Sequence, residues 1–230
     1  MTDLAATEQD TAIANDPPLY DLNAWWIFSG ICIIYVIFNW WIQTQVLTDQ
    51  FYYYSLGAKV GADKLSTIVS DQHRMRLLTY LMVPFSLLLK MTAVTFCLLT
   101  GLLVTARKLS FRTLFKIVLF AESAFVAGIL LKLLILSFGH SIDNLAEYES
   151  FAPLSLFSLF NTSSLPDWLI YPLQTIDLFQ VAYFILLATG LRYFLRQPFA
   201  KMLRLVLGSY GLGLLSWMVV IAFLIISTHR

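Results

Sequence analysis

Charge is what this sequence has least of. Lys, Arg, Asp and Glu together make up 13% of its 230 residues, against roughly 25% in a typical soluble domain. The 15 basic and 14 acidic side chains nearly cancel, so the balance implies neither a nucleic acid nor an acidic partner. Cysteine is scarcer still: Cys32 and Cys97 both fall inside apolar runs, where small core residues are expected and disulfides and metal sites are uncommon. His73 has no second His or Cys at ligand spacing, which makes a surface histidine of it rather than a metal ligand. There is no Ser-His-Asp grouping, no pair of catalytic carboxylates, no His cluster and no Gly-rich phosphate loop. No catalytic residue, metal or cofactor is therefore expected, and the chain is read as not an enzyme. A basic n-region is missing too: residues 1–21 carry five acidic residues and no Lys or Arg, the reverse of a signal peptide, so no cleavage is expected.

What fills the chain is apolar: 59% of the residues are hydrophobic. They are gathered into runs of the length a bilayer demands, about 20 residues for a helix. The expected fold is all-α, a polytopic transmembrane helical bundle of five spans with an additional interfacial or re-entrant helix, and its first partner is the lipid bilayer.

The run from Thr113 to Phe138 organises the rest. Within it stand Glu122 and Lys132, ionisable groups where a charge costs roughly 3 kcal/mol on insertion scales. They cannot neutralise each other, because ten residues of helix separate them by about 15 Å along the axis and about 80° around it. This span therefore needs charged or polar neighbours on more than one side and belongs at the centre of the bundle. Ala124 and Gly128, flanked by Ser123 and Ala127, have the small-xxx-small spacing that allows close helix approach.

Around that centre the chain divides as follows. Residues 1–23 are a polar, acidic tail with Pro17 and Pro18 and too little apolar surface to fold, hence mobile. Residues 24–43 are the first span, with Trp25 and Trp26 placed about 22 Å along the helix from Trp40 and Trp41, indoles at both headgroup levels. Residues 44–75 are an amphipathic loop, broken at Gly57 and Gly61, in which Leu65, Ile68 and Val69 form a short helical face against the bundle or the headgroups. Residues 76–228 hold the remaining four spans. The second, about Leu77 to Thr105, contains Pro84 and a mid-depth Lys90 that demands a counter-charge or a watery cavity. In the loop after the central span, FAPLSLFSLF (151–160) is too short to cross and reads as the interfacial or re-entrant helix, with Ser155 and Ser158 sharing a polar face. Asn161, Thr162 and Ser163 form a glycosylation sequon. The fourth span starts at Pro166 and Asp167 and runs to about Leu191, with Gln174, Asp177 and Gln180 along one polar face. The fifth, Leu205 to Ser227, carries Ser209, Gly213 and Ser216 as a small-residue stripe.

Two short turns are basic: Arg107, Lys108, Arg112 and Lys116, then Arg192, Arg196, Lys201 and Arg204. The loop between the third and fourth spans is acidic, with Asp143, Glu147, Glu149 and Asp167. The positive-inside rule then puts the N-terminus in the cytoplasm and the C-terminus outside. This orientation also places the 44–75 loop outside, with Lys59, Lys64, Arg74 and Arg76 on it, so the first span is the weakest step of the count.

From about Leu77 the pattern resembles the Yip-domain family of small polytopic membrane proteins. The likeness rests on LVTARKLSFRTLFKIV, a basic turn with an aromatic opening the central helix, and on SSLPDWLIYPLQTIDLFQVAYFILLATGLRYFLRQPFAKML. In the latter a proline-led helix carries Asp177, Leu178 and Phe179, then Leu186 to Leu191, then Ala200 and Lys201. It covers about two-thirds of the chain and implies five spans with a cytoplasmic N-terminus, as in a bacterial-type member in the inner membrane. The short tail and the long first loop depart from the pattern, so the GTPase-partner role of eukaryotic members is not among the expectations.

Four intramembrane ionisable residues, Lys90, Glu122, Lys132 and Asp177, are the candidate pairs or polar pathway, with Lys90 matched to Glu122 and Lys132 to Asp177 by depth. Ala124, Gly128, Ser209 and Gly213 are the candidate helix-packing positions, and the seam on the fifth span is expected to take another membrane protein subunit. Two functions compete on these grounds: a scaffold or accessory subunit of a membrane protein complex, and a transporter or ion-conducting subunit using the four charges.

Overall fold

The computed structural model describes residues 23–48, 50, 51, 54, 62–138, 147, 148, 151–160 and 165–228, at 62–67, 69, 72–74, 76 and 77 by backbone alone. The acidic tail before Asn23, the sequon at Asn161, the breaks at Gly57 and Gly61, the side chains of Leu65, Val69 and His73, and Asp143 and Glu149 of the acidic loop lie outside the described residues.

The helices are α1 (Ala24–Trp41), α2 (Ala62–Val104), α3 (Phe111–Ala121), α4 (Ser123–Ser137), α5 (Asp167–Thr175), α6 (Leu178–Leu195), α7 (Phe199–Val206) and α8 (Leu212–Thr228). With the π turns Ile42–Val46 and Leu207–Gly211 they give five segments long and apolar enough to cross a membrane: Ala24–Val46, Leu78–Val104, Phe111–Ser137, Leu178–Leu195 and Phe199–Thr228. The molecule is an all-α helical bundle and an integral membrane protein.

Local chemistry sets where these helices begin and end. Asn23 Oδ1 accepts from Trp25 N at 3.3 Å and starts α1; Ser110 Oγ accepts from Thr113 N at 3.2 Å and starts α3. At the two basic turns the chain reverses through Ala106 and Arg196, both in left-handed backbone (φ 54° and 49°). That conformation closes a helix end at some cost to any residue with a Cβ. These turns are short, so successive spans are forced together at the basic end.

Three sequence expectations change. First, the amphipathic segment of the 44–75 loop is no separate element: the backbone from Ala62 is continuous with the second span. The 43 residues of α2 amount to about 64 Å of helix, about twice the hydrocarbon thickness, so its first turns stand clear of the hydrocarbon. Second, the fourth span is not one helix from Asp167. It breaks at Ile176 and Asp177, where Asp177 turns extended (φ −122°, ψ 172°) and its Oδ1 accepts from Gln180 N at 2.5 Å as the N-cap of α6. Third, residues 151–160 form only a 3₁₀ turn at Leu156–Leu159, preceded by a strand-like bridge between Ser155 and Asp177. The second and third corrections share one cause. A helix break leaves backbone groups bare, and in a membrane these must find protein partners. Leu156 N donates to Ile176 O at 2.9 Å and Leu178 N to Leu154 O at 3.1 Å.

The core lies where the second, third and fourth spans and the start of the fifth converge: Met91, Leu98 and Leu102 of α2, Leu114, Val118 and Leu119 of α3, Tyr183, Leu187 and Leu191 of α6, and Val206 of α7 are all at 0% exposure.

Candidate functional site: a charged cluster between the spans

Glu122 sits at the joint of α3 and α4, yet the third span stays unbroken there: its N–H bonds to Val118 O and its carbonyl accepts from Phe125 N and Val126 N. Its side chain is fully buried. Oε1 accepts from Lys90 Nζ at 2.7 Å and from Tyr35 Oη at 3.0 Å. Lys90 therefore has its counter-charge, and three spans meet at one carboxylate oxygen. The ammonium also lies 3.7 Å from the centroid of Phe125 and 5.7 Å from that of Tyr183, a cation–π seat that offsets part of its lost hydration, worth up to about 2 kcal/mol where water is scarce.

The fourth and fifth spans close the cluster. Tyr183, at 0% exposure, packs against Phe125 at 4.9 Å and edge-on to Tyr210 at 5.6 Å between ring centroids. Buried Gln180 donates from Nε2 to Tyr210 Oη at 3.1 Å. All five spans thus contribute a polar side chain: Tyr35, Lys90, Glu122, Gln180 with Tyr183, and Tyr210. Among the described residues, two buried side-chain polar atoms have no hydrogen-bond partner, Glu122 Oε2 and Tyr183 Oη. Such atoms call for a proton, a water or a ligand to satisfy them. Lys90 is meanwhile 37% exposed, so the cluster opens sideways on the ammonium while its carboxylate is enclosed.

The other expected pair does not form. Lys132 Nζ donates instead to the backbone carbonyl of Phe151 at 3.0 Å and lies 5.2 Å and 5.4 Å from the rings of Tyr148 and Phe151. Asp177 spends its carboxylate on the cap of α6. Similar depth does not bring two residues to the same side of a helix, and the break that gives Asp177 its cap also fixes where it points. The Gln174, Asp177 and Gln180 face is likewise divided, since Gln174 belongs to α5 and Gln180 to α6.

The small residues are occupied within the chain. A Cβ on Gly128 would stand 2.9 Å from the Phe179 ring, and one on Gly213 3.1 Å from Cys97 Sγ. Ser209 fills the space at Gly101, where an added Cβ would meet the Ser209 Cβ at 2.6 Å. Ala124 is buried in the core cluster. The seam at Ser209 and Gly213 thus meets the second span at Gly101 and Cys97, with both residues half-buried. Ser216 is exposed, its hydroxyl bonded back to Leu212 O at 2.9 Å.

Tyr35, Phe125, Tyr183 and Tyr210 were not singled out by the sequence, where they count as apolar aromatics. The available signal was depth: tyrosines favour the two membrane interfaces, and Tyr35 stands eleven residues past the start of α1, about 16 Å into the span. Among the described residues no group of three His, Cys, Asp or Glu side chains is placed to hold a metal, and Cys32 and Cys97 are free thiols. No family model, curated protein or solved structure matches the chain.

Proposed function

We propose that this protein is a non-enzymatic, Yip-like accessory subunit of a membrane protein complex in a bacterial cytoplasmic membrane, with its N-terminus in the cytoplasm and its C-terminus outside. The orientation is supported by the two basic turns. The accessory role is supported by one observation above all: α8 buries a single side chain, Met218, of its 17 residues. Leu212, Leu215, Val219, Phe223 and Ile226 recur at three- and four-residue spacing and are 46–68% exposed, the periodicity of one continuous helix face. The partner's place is this face rather than the Gly213 seam, which already meets the second span at Cys97. A photo-crosslinking residue at Phe223 should give a discrete protein adduct in membranes, lost when Val219 and Leu215 are both changed to Ala, and one at the lipid-facing Leu130 should not. Lipid adducts alone at both positions would sink this reading.

A second reading, an ion- or proton-conducting subunit, is favoured by the unpartnered Glu122 Oε2 beside the partly exposed Lys90. A monomer that moves ions across liposomes in a manner abolished by Glu122→Gln would install it in place of the first.

A further inference from the structure

The two oxygens of the Glu122 carboxylate are unlike. Oε1 accepts from both Lys90 and Tyr35, while Oε2 accepts from no donor among the described residues. A carboxylate has room for about four donors, and a bare oxygen is costly where no bulk water reaches it. Tyr183 Oη is in the same condition, and both side chains are at 0% exposure. The two residues are neighbours. Lys90 Nζ stands 2.7 Å from Glu122 Oε1 and 5.7 Å from the centroid of the Tyr183 ring, and Phe125, one turn on from Glu122, packs 4.9 Å from that ring. Glu122 also acts electrostatically on the Tyr183 hydroxyl more strongly than Tyr210 does, although the Tyr210 ring is 5.6 Å away.

We infer that an internal water molecule completes the charge cluster, donating to Glu122 Oε2 and accepting from the Tyr183 hydroxyl. Chemistry eliminates the other occupants. A cation is refused by the Lys90 ammonium, 2.7 Å from the other carboxylate oxygen, and an anion by the carboxylate itself. An apolar guest leaves both polar atoms bare. A proton on Oε2 neutralises Glu122 and strands the ammonium inside the membrane. Water is neutral and small, and it donates as well as accepts, which an anionic oxygen and a hydroxyl together require. Lys90 carries three N–H donors, one of which goes to Oε1, so a third bond is at hand, and about three is the number a buried water makes. The water ties the third span to the fourth through polar atoms of both, at nearly the enthalpy of a direct bond. The outer face of α8 plays no part, and the inference holds under either functional reading.

The test uses the full-length protein in mild detergent and two readouts. Short X-ray pulses split water into hydroxyl radicals, which mark the side chains they touch and are located by mass spectrometry. Tyr183, closed to bulk water, should be oxidised by the water beside it. Met202, 2% exposed among the apolar side chains of the packed half, should be spared although methionine is readily oxidised. Infrared difference spectra then identify the bonds. An O–H band that shifts when ordinary water is exchanged for its heavy-oxygen form should be lost or moved in Tyr183→Phe, which keeps the ring. Glu122 should contribute a carboxylate band, lost in Glu122→Gln. Tyr183 spared as completely as Met202, with no oxygen-isotope-sensitive band altered by Tyr183→Phe, would show a dry cluster and overturn the inference. A protonated-carboxyl C=O band that disappears in Glu122→Gln would put a proton where the water is placed and overturn it as well. Where Glu122→Gln is too unstable to purify, Glu122→Gln with Lys90→Met assigns the band in its place. The labelling of the unaltered protein needs no variant, so the inference stays open to refutation even if a substitution fails to fold.

Discussion

The third span changes character at Glu122. Toward the basic turns, α3 buries five of its 11 residues; toward the acidic loop, α4 buries Ala124 alone of 15. The fifth span repeats the contrast, with three of the eight residues of α7 buried and one of the 17 of α8. The second span follows suit, since every buried residue along it lies at or beyond Leu87. One half of the bundle is packed and the other is spread. Lipid makes this permissible: an apolar side chain gains little by leaving hydrocarbon for a protein core, so helices associate only where shape or polar bonds hold them. At the basic end the short turns and the small residues Gly101 and Ser209 supply shape. At the acidic end the connections are long, and discrete polar ties stand in for packing. These are Tyr80 Oη to Gln43 at 3.3 Å, Lys132 to Phe151 O, Trp217 Nε1 to Tyr171 Oη at 3.0 Å, and the pairing of Leu154 and Leu156 with the break in the fourth span. The Lys90–Glu122 pair marks the border between the halves.

Cutting that border should have the largest effect. Glu122→Gln leaves the Lys90 ammonium without its counter-charge and is expected to destabilise the protein by roughly 3 kcal/mol, the scale on which breaking a buried pair costs. Glu122→Gln with Lys90→Met removes the stranded charge and should recover a good part of the loss. Denaturant unfolding in mixed micelles, arranged as a double-mutant cycle, measures the coupling. Simple additivity would mean that the pair, though 2.7 Å long, does no more than two independent polar residues.

Packing differences come next. Leu98→Ala in the packed half vacates a site at 0% exposure and should cost on the order of 2 kcal/mol through the cavity it leaves. Leu130→Ala, at a position 50% exposed in the spread half, should stay within about 0.5 kcal/mol. Glycines give the same contrast with the opposite change. Gly101→Ala must push against Ser209 and lose about 1–3 kcal/mol. Gly30→Ala, with nothing within 4 Å of the added Cβ, should gain a fraction of the roughly 1 kcal/mol of helix propensity. Equal losses at Leu98 and Leu130 would erase the distinction between the halves.

The two halves were also unequally legible in the sequence. Spans and basic turns follow from run length and charge, which depend on local composition alone, and depth arithmetic along two antiparallel helices was enough to bring Lys90 to Glu122. The acidic half depends on contacts between distant segments. Asp177 looks like one residue of a polar helix face until Leu154 and Leu156 supply the partners that let the helix break there. Lys132 looks in need of a carboxylate because a side-chain census contains no backbone carbonyl. The tyrosines of the cluster were hidden for a related reason: a hydroxyl in mid-span reads as an aromatic until the oxygen it points at is known.

The smallest effect separates the halves most sharply. Lys132 ties the 151–160 segment to the third span through one hydrogen bond to a carbonyl and two aromatic rings, a set whose net worth is about 1 kcal/mol. Lys132→Met keeps the apolar stem and removes the tie. If the spread half is held by separate ties, global stability should fall by no more than that amount. Amide exchange should nonetheless quicken locally at Leu156 and Leu178, whose N–H groups bond across the break to Ile176 and Leu154, because local opening of a weakly packed unit does not require the packed half to unfold. Amides of Leu187 and Leu191 in the core should keep their protection. Exchange that rises equally in both sets, together with a global loss as large as that of Glu122→Gln, would show that the bundle opens as one unit and that the border at Glu122 is not an energetic one.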